Sequence, residues 1–255
     1  MIIWEQFLAL LEGILVFFHD LFAGVPLLGL WPWAWAIMAL TVVVRIVLLP
    51  LAVKQINSMR AMQQLQPEIK RIQKKYKTDR DQMRKNPEKF RQQRQKQQEE
   101  MMALYKEHKV NPAAGCLPLL LQLPVFFALF RLLFNPERVQ ELAGTGFFMI
   151  ESLTSTPVSA YTDYTIGGWA GAWVLVAFMG ATTYLSQRQM MANNPAASEQ
   201  PHMKIMLYVM PLMLTVFAVN FPIGVVLYWV TTNLWTMAQQ WVMFRGVGQA
   251  KPAPT

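Results

Sequence analysis

Long apolar stretches separated by polar segments dominate the pattern of the chain. Three of them, 33–54, 113–134 and 168–186, have about the 20 residues that one membrane crossing needs. A fourth runs from Ile205 to Phe244, 40 residues without a formal charge, and Asn220 to Gly224 supplies a turn near its middle. It therefore corresponds to two crossings, 205–220 and 223–244. The pattern predicts five transmembrane helices.

The N-terminal segment, residues 1–30, has a different periodicity. Its polar positions recur every seven residues and form one stripe of a helix: Glu5, Glu12 and His19, with Gln6, Gly13 and Asp20 beside them. The opposite face is apolar and aromatic: Trp4, Phe7, Leu8, Leu11, Leu15, Phe18 and Phe22. A helix with these two faces lies in the membrane interface rather than crossing it. Because its polar stripe lacks Lys and Arg, we expect it on the outer side.

Residues 55–109 are hydrophilic but keep a helical period. Apolar residues three or four apart mark one face: Ile56, Met59, Met62, Leu65, Ile69, Ile72 and Tyr76. Helix-breaking residues follow over 78–87, and Glu88 to His108 is again a helical stretch. The segment predicts a hairpin of two antiparallel helices.

The charge of the chain is concentrated in this hairpin. Residues 54–109 hold 16 of the 23 Lys and Arg and 7 of the 15 acids, a net of +9, while the rest of the chain has a net of −1. Such a segment could bind nucleic acid or anionic lipid, and its apolar flanks favour a cytoplasmic loop. The loop 135–166 and the N-terminus are then outside, and the loop 187–204 and the tail 245–255 are cytoplasmic. We predict an all-α, multi-pass protein of the plasma membrane.

Arg45 lies inside the first predicted span, nine residues before Lys54. That separation is about 13 Å along a helix, which exceeds the reach of an arginine side chain. A lipid-facing Arg at mid-membrane costs about 2.5–3.5 kcal/mol on insertion scales, and none of the predicted spans contains Asp or Glu. The residue therefore indicates a wet, positively charged pocket suited to a transient anion. The alternative is a structural Arg that donates to backbone carbonyls freed near Pro50.

Residue patterns of chemical catalysis are missing from the sequence. The three His residues lie in separate segments, and no metal-ligand spacing, phosphate-binding glycine loop or nucleophile elbow occurs. Cys116, beside Gly115 and Pro118, suits a packing role better than a redox role. We expect no enzyme activity, no cofactor and no metal site.

Several short motifs occur along the chain in a specific order. They are Val44 to Leu51, Leu65-Gln66-Pro67, Tyr105-Lys106, Asn111-Pro112, Gly115 to Pro118, Gln122 to Phe126, Met210-Pro211, Phe221 to Gly224, Leu227 to Trp229, and Asn233. The combination resembles the YidC/Oxa family of membrane protein insertases, in the short form without the large outer domain. The match covers nearly the whole chain, up to Arg245.

The resemblance implies an insertase and chaperone that draws client segments into the bilayer through a hydrophilic groove open to the cytoplasm. Arg45 takes the role of the central Arg, and Thr41, Gln122, Gln187 and Trp229 line the groove. Leu123, Phe126, Phe217 and Tyr228 match positions that contact the apolar part of a client. The implied partners are nascent membrane proteins, the ribosome at the basic hairpin and the 187–204 loop, the Sec translocon, and anionic lipids; no nucleic-acid sequence recognition is expected.

Two other functions fit parts of the pattern. One is a small-anion transporter with Arg45 as its substrate site, although the chain lacks the internal repeat typical of transporters. The other is a membrane-tethered scaffold that binds ribosomes or RNA through the basic hairpin. Anion flux into liposomes distinguishes the first from an insertase. Deletion of residues 70–105 would abolish the second function and only weaken an insertase.

Overall fold

The structure is a computed structural model that describes residues 2–76, 87–110, 117–134, 145–159, 166–192 and 201–244, with the backbone alone for 87, 117–121 and 201–206. These ranges contain no strand, only one isolated antiparallel bridge between Phe147 and Ile150. The predicted all-α class is confirmed. Outside the described residues lie Cys116, the hairpin's turn, residues 135–144 and 160–165 of the predicted 135–166 loop, residues 193–200 of the predicted 187–204 loop, and the 245–255 tail.

Nine α-helices account for most of the described residues. They are α1 (Ile2–Ala23), α2 (Pro32–Val47), α3 (Leu49–Gln64), α4 (Gln66–Lys75), α5 (Pro87–Glu107), α6 (Leu117–Phe134), α7 (Ile166–Ala192), α8 (Pro201–Ala218) and α9 (Ile223–Phe244). The chain divides into two compact units. The first, here called the bundle, comprises Met1–Leu49, Leu119–Met190 and Ile205–Thr255; the second, the hairpin unit, comprises Pro50–Pro118 and Met191–Lys204.

Membrane-spanning potential is clear for some of the helices. Within the described ranges, α1 and α7 are long and apolar enough to cross a membrane, and α2 with α3 makes a third candidate if the two form one span. Residues 122–134 of α6 and 207–218 of α8 form shorter apolar helices. The count of five spans therefore stays a prediction.

A break at Leu48 divides the segment predicted as one span over 33–54. Helix α2 ends at Val47, and α3 begins at Leu49 and continues past Lys54 to Gln64. Pro50 explains the break, because proline has no amide hydrogen and its ring clashes with the carbonyl of the preceding turn. The first turn of the new helix tolerates proline, since its amide hydrogens have no partner within the helix.

The core of the bundle contains α1 and α2 together with α6, α7 and α9. Helix α1 buries Leu8, Leu11 and Leu15, all three from the face that the sequence predicts to be apolar. Helix α2 buries Trp33 and Ile37 in the same cluster. On the other side of α1, apolar residues are exposed, among them Ile3, Leu10 and Phe17. Helix α1 therefore has a buried apolar face and an exposed one.

Helices α7 and α9 run parallel in the bundle. Asn233 on α9 donates to Thr182 and Thr183 on α7, over 3.3 and 2.9 Å. Further along both helices, Gln189 donates to the carbonyl of Met237 over 3.1 Å. The residue numbers increase together on the two helices, which is possible only for parallel neighbours.

Helices α6 and α8 run in the opposite direction. A Cβ at Gly224 would lie 2.8 Å from Leu133, near the end of α6, while Thr232, two turns further along α9, lies 3.5 Å from Gln122 near the start of α6. Similarly, a Cβ at Gly180 would lie 2.5 Å from the hydroxyl of Thr215. Gln187, later on α7, contacts Met210, earlier on α8. Both α6 and α8 are therefore antiparallel to α7 and α9.

The segment 145–159 covers the first turn of α9. The amides of Ile223 and Gly224 donate to the carbonyls of Ser155 and Leu153, over 2.9 and 2.8 Å. The first amides of a helix have no partner within it, and here the preceding loop supplies the acceptors. Leu153 is completely buried, so the loop is part of the core of the bundle.

In the hairpin unit, α4 and α5 pack as an antiparallel pair. Their shared core consists of Leu65, Ile69, Leu104, Tyr105 and Val110. Lys75 near the end of α4 contacts Glu100 over 2.6 Å, and Glu68 near its start lies 3.8 Å from His108. Because the numbers change in opposite directions, α4 and α5 are antiparallel.

Candidate functional site

Arg45 lies in the last turn of α2 with its side chain half buried. Its Nε is buried and has no hydrogen-bond partner. Among the described residues, no carboxylate forms an ion pair with it. Its guanidinium lies within electrostatic range of the Tyr228 hydroxyl on α9. A cation with an unsatisfied buried donor is an unusual arrangement, because such groups are nearly always paired.

Tyr228 belongs to a hydrogen-bonded group that joins two helices. The amide of Gln122 on α6 donates to the hydroxyl of Tyr228 and, over 3.5 Å, to the hydroxyl of Thr232. Tyr228 and Thr232 are 3% and 7% exposed, so the group is enclosed by the bundle. Tyr228 therefore neighbours both the Arg45 guanidinium and the Gln122 amide. We call Arg45, Gln122, Tyr228 and Thr232 the polar cluster.

Thr41, predicted as a groove residue, is 1% exposed and lies one turn before Arg45. Its hydroxyl donates to the carbonyl of Ile37 over 2.7 Å. That bond satisfies the hydroxyl within its own helix, which is common for threonine inside apolar helices.

Gln187 and Trp229, the other two predicted groove residues, make contacts apart from the polar cluster. Gln187 donates to the sulfur of Met210 over 3.7 Å, a weak acceptor. The ring of Trp229 packs edge-on against Phe126, with centroids 5.6 Å apart. Gln122 is therefore linked to Arg45 by way of Tyr228, which lies near both residues. The described contact of Gln187, in contrast, joins α7 to α8.

The four predicted client-contact residues fall into an exposed pair and an enclosed pair. Leu123 on α6 and Phe217 on α8 are 39% and 55% exposed. Phe126 is half buried among the rings of Phe130, Phe221 and Trp229. Tyr228 is almost completely buried and belongs to the polar cluster. Of the four, Leu123 and Phe217 are therefore the residues whose apolar surface is directly accessible.

Two features of the bundle were not anticipated from the sequence. The first is the buried contact of Asn233 with Thr182 and Thr183, since the sequence shows Asn233 only as one of the ordered motifs. The second is an ion pair between Glu5 on α1 and Arg131 on α6, 3.6 Å apart. The sequence offered one signal for each contact. Thr182 and Thr183 are adjacent in the third predicted span, and Arg131 lies near the end of the second. Neither signal identifies its partner, because the contacts join residues 50 or more positions apart.

The chemistry available at the polar cluster is recognition of an anion. A guanidinium offers five N–H donors, and the described neighbours of Arg45 are neutral. A carboxylate that reached it would supply the missing acceptor. No group of three or more His, Cys, Asp or Glu side chains among the described residues could hold a metal ion.

Comparisons with known proteins agree on one family. A family model described as "60Kd inner membrane protein" matches residues 26–87 and 85–250. The chain is 37% identical over 235 residues to the membrane protein insertase YidC of Streptomyces avermitilis, covering 84% of this chain and 52% of that protein. It is 33% identical to the membrane protein insertase YidC 2 of Bacillus anthracis, covering 94% of this chain and 81% of that protein. This chain belongs to the YidC/Oxa family.

A solved structure gives the same result at the level of the fold. The crystal structure titled "Active YidC insertase crystal structure with the first transmembrane domain resolved" aligns with a TM-score of 0.61 and 28% identity. The alignment covers 93% of this chain and 46% of that one. Several relatives are longer, and the chain spans about half the length of the Streptomyces protein. The family resemblance inferred from the motifs is confirmed.

Proposed function

We propose that this protein is a membrane protein insertase and chaperone, without a nucleotide site or chemical step. The observation that carries the proposal is Arg45, a half-buried cation in an apolar helix with a buried Nε that lacks an acceptor. The names of the relatives support the same function, since they are membrane protein insertases. The client is a nascent membrane protein whose translocated segment contains acidic residues.

The proposed topology has five spans. The described contacts make α7 and α9 parallel and α6 and α8 antiparallel to them, so direction alternates along the chain from α6 to α9. Alternation is what successive membrane crossings require. The strongly basic segment 54–109 places the hairpin in the cytoplasm by the positive-inside rule. The N-terminus and the 135–166 loop are then outside, and the C-terminus is cytoplasmic.

Helix α1 lies along the outer surface in this topology, although it is long and apolar enough to cross a membrane. Glu5 pairs with Arg131 near the end of α6, and His19 stacks on Trp33 at the start of α2, with ring centroids 4.1 Å apart. Both of those helix ends are outer ends. The two contacts are 14 residues apart on α1, about 21 Å along its axis. A helix anchored at two outer positions so far apart runs along the interface.

The polar cluster draws in the client by electrostatic attraction. A carboxylate about 4 Å from the Arg45 guanidinium gains about 4 kcal/mol where the effective dielectric constant is about 20. Gln122, Gln187 and Trp229 line the groove that leads to this position, and water enters it from the cytoplasm. Thr41 lies buried one turn from Arg45 and supports the wall of the groove. The attraction is transient, because water in the groove weakens the ion pair and lets the carboxylate be released outward. The apolar part of the client leaves the groove past Leu123, Phe126, Phe217 and Tyr228 into lipid.

The basic hairpin recruits partners from the cytoplasmic side. Its net charge of +9 favours ribosomal RNA phosphates and the anionic headgroups of the inner leaflet, without recognition of base sequence. We place the ribosome there together with the 187–204 loop, and the Sec translocon beside the bundle.

The decisive experiment compares Arg45→Ala and Arg45→Lys in the reconstituted protein. Insertion of a client with an acidic translocated tail is expected to be lost in Arg45→Ala and largely kept in Arg45→Lys, because the charge is kept. The matched client with Asn in place of Asp depends less on Arg45. Arg131→Gln is the control variant, since it removes an Arg that already has Glu5 as its partner. Full insertion by a folded Arg45→Ala protein would contradict the electrostatic role.

The same unpaired Arg45 also supports the small-anion transporter considered above. Flux of chloride or phosphate into liposomes that contain the purified protein separates the two functions. A flux that depends on Arg45 while client insertion does not would favour the transporter.

A further inference from the structure

A two-residue hairpin turn at Phe148 and Met149 has an unusual sequence for its backbone. Phe147 and Ile150 exchange two hydrogen bonds over 2.8 and 3.0 Å, and Phe148 has a φ of 54°. A positive φ at only the first central residue is the pattern of a type II′ turn, where glycine is normal. Phe148 and Met149 are 69% and 62% exposed. Two large apolar side chains therefore project from a position that suits glycine.

A second turn beside it shares both properties. Leu27 has a φ of 74° and is 76% exposed, and Leu30 is 64% exposed. Trp31 joins the two turns, because its ring stacks on that of Phe148 with centroids 4.6 Å apart. We call Leu27, Leu30, Phe148 and Met149 the apolar tip.

In water the exposed side chains of the apolar tip would be unfavourable, because exposed leucine and phenylalanine cost solvation free energy. The positive φ of Leu27 and Phe148 is strained in any solvent, so glycine would suit the backbone better, and yet both positions keep large apolar side chains. Neither 142–150 nor 21–44 contains a charged residue that would place these turns in bulk water. A surface that exposes such side chains suits an apolar environment.

The apolar tip continues into a surface with the composition of a membrane interface. A Cβ at Gly171 on α7 would lie 3.3 Å from the Cβ of Met149, so the turn packs on the first part of that helix. Trp169 and Trp173, on either side of Gly171, are 38% and 39% exposed. Tryptophan is enriched where transmembrane helices meet the headgroups. Lipid that contacts these tryptophans also reaches Met149.

We propose that the apolar tip is immersed in the outer leaflet, at the boundary between headgroups and acyl chains, and that bilayer lipid is its occupant. The inference rests on the orientation given under the proposed function. The segment that follows the turn caps α9 through the carbonyls of Leu153 and Ser155. The tip thereby anchors the outer end of the helix that holds Tyr228.

The test measures the depth of a spin label in vesicles of phosphatidylethanolamine and phosphatidylglycerol. Labels are placed in a Cys116→Ser background at Met149, at Leu212 as the lipid reference, and at Gln92 on α5 as the aqueous reference. Leu212 is 66% exposed on α8, and Gln92 is exposed in a polar helix. Each label is read by its collisions with oxygen, which concentrates in lipid, and with a water-soluble nickel chelate.

The label at Met149 is expected to collide more often with oxygen than with the nickel chelate. The ratio of the two collision rates should be nearer to that at Leu212 than to that at Gln92. Phe148→Gly suits the backbone of the turn but removes the anchor, so it should shift the ratio toward the aqueous value. Phe148→Trp should keep it. A ratio equal to that at Gln92 overturns the proposal. Low collision rates with both reagents also overturn it, because they indicate a protein partner or a second copy over the tip.

Orientation is checked separately with a membrane-impermeant thiol reagent on intact cells that carry Val158→Cys. Val158 is 52% exposed in the same segment. Labelling from outside agrees with the proposed topology. If Val158→Cys reacts only after permeabilisation, the orientation fails, whatever the depth of Met149. An aqueous Met149 with an outside Val158 overturns the lipid anchor alone.

Discussion

Asn233 and Lys75 each join two helices, but they do so by different means in the two units. In the bundle, the neutral amide of Asn233 bonds to two buried threonine hydroxyls. In the hairpin unit, the ammonium of Lys75 pairs with Glu100 on the surface, and Tyr76 donates to the same carboxylate. Apolar surroundings penalise charge heavily, so this buried pair of the bundle is neutral, whereas a water-exposed hairpin can use ions.

The exception in the bundle is informative. Arg45 is a charged group without a carboxylate partner among the described residues, while Arg131 has Glu5. Among the described arginines of the bundle, Arg131 has a carboxylate partner, Arg188 is exposed, and Arg45 is half buried without a carboxylate partner. Arg45 is the candidate for function, because no carboxylate among the described residues offsets its charge.

The largest expected difference between the two units concerns their cores. Ile69→Ala removes a side chain that is 2% exposed from a hairpin core of five buried residues, at a cost of about 2–5 kcal/mol. Because that core is small, α4 and α5 should separate while the bundle stays folded. Hydrogen exchange should increase over 66–75 and 87–107 and not over 223–244. The exposed substitution Gln98→Ala is the control, and unchanged protection in α4 would contradict the two-unit description.

A smaller effect is expected at the loop that caps α9. A Cβ at Gly146 would lie 2.3 Å from the backbone oxygen of Ile150, so Gly146→Ala should destabilise the bundle by about 1–3 kcal/mol. Gly13→Ala on α1 is the matched control, because no atom lies within 4 Å of its added Cβ. Alanine there should leave the melting temperature unchanged or raise it. Equal behaviour of the two variants in detergent would show that the loop does not support the bundle.

The next largest effect is expected for the hydrogen bonds that join Asn233 to Thr182 and Thr183. Asn233→Leu removes the bonds to Thr182 and Thr183, and the two hydroxyls keep their backbone acceptors, the carbonyls of Phe178 and Met179. Contacts of this kind within membranes average about 0.6 kcal/mol and reach about 1.7. Thr231→Val is the control, since its hydroxyl bonds only within α9, to the carbonyl of Leu227. A double-mutant cycle with Thr183→Val measures the coupling; zero coupling would mean that the pair does not hold α7 to α9.

The smallest effect concerns the surface ions of the hairpin. The hydrogen bond from Lys75 lowers the pKa of Glu100, and the same bond raises the pKa of Lys75. The contribution of Glu100 to the free energy of unfolding is therefore present above pH 4.5, its ordinary pKa, and is lost as the pH falls through the lowered pKa. The contribution of Lys75 is present below pH 10.5, its ordinary pKa, and is lost as the pH rises through the raised pKa.

Glu100→Gln should abolish the loss of stability at low pH that Glu100 causes, and it should leave the fold intact. The amide signals of Lys75 and Tyr76, followed by NMR across the acid range, provide the measurement. Glu99→Gln, next to it and exposed, is the control. An acid transition that persists in Glu100→Gln would assign it to another carboxylate.

Helical periodicity and turn chemistry were enough to predict several elements. The fifth predicted span, 223–244, and α9 comprise the same residues, because Pro222 and the turn before it end the preceding helix. The apolar period over 56–76 placed Leu65 and Ile69 on the inner face of the hairpin, where they are buried. These features depend on residues close together in the chain, which is why one sequence reveals them.

By itself, the sequence determined the helical class, the concentration of charge in the hairpin, and the presence of an arginine within an apolar span. Periodicity and composition are local properties, and they suffice for such statements. The tertiary structure alone decided that Gln122 reaches Tyr228 beside Arg45, that Asn233 turns to Thr182 and Thr183, and that Glu5 pairs with Arg131. Each of these contacts depends on how helices distant in sequence pack, and that packing follows from the shape of the whole core.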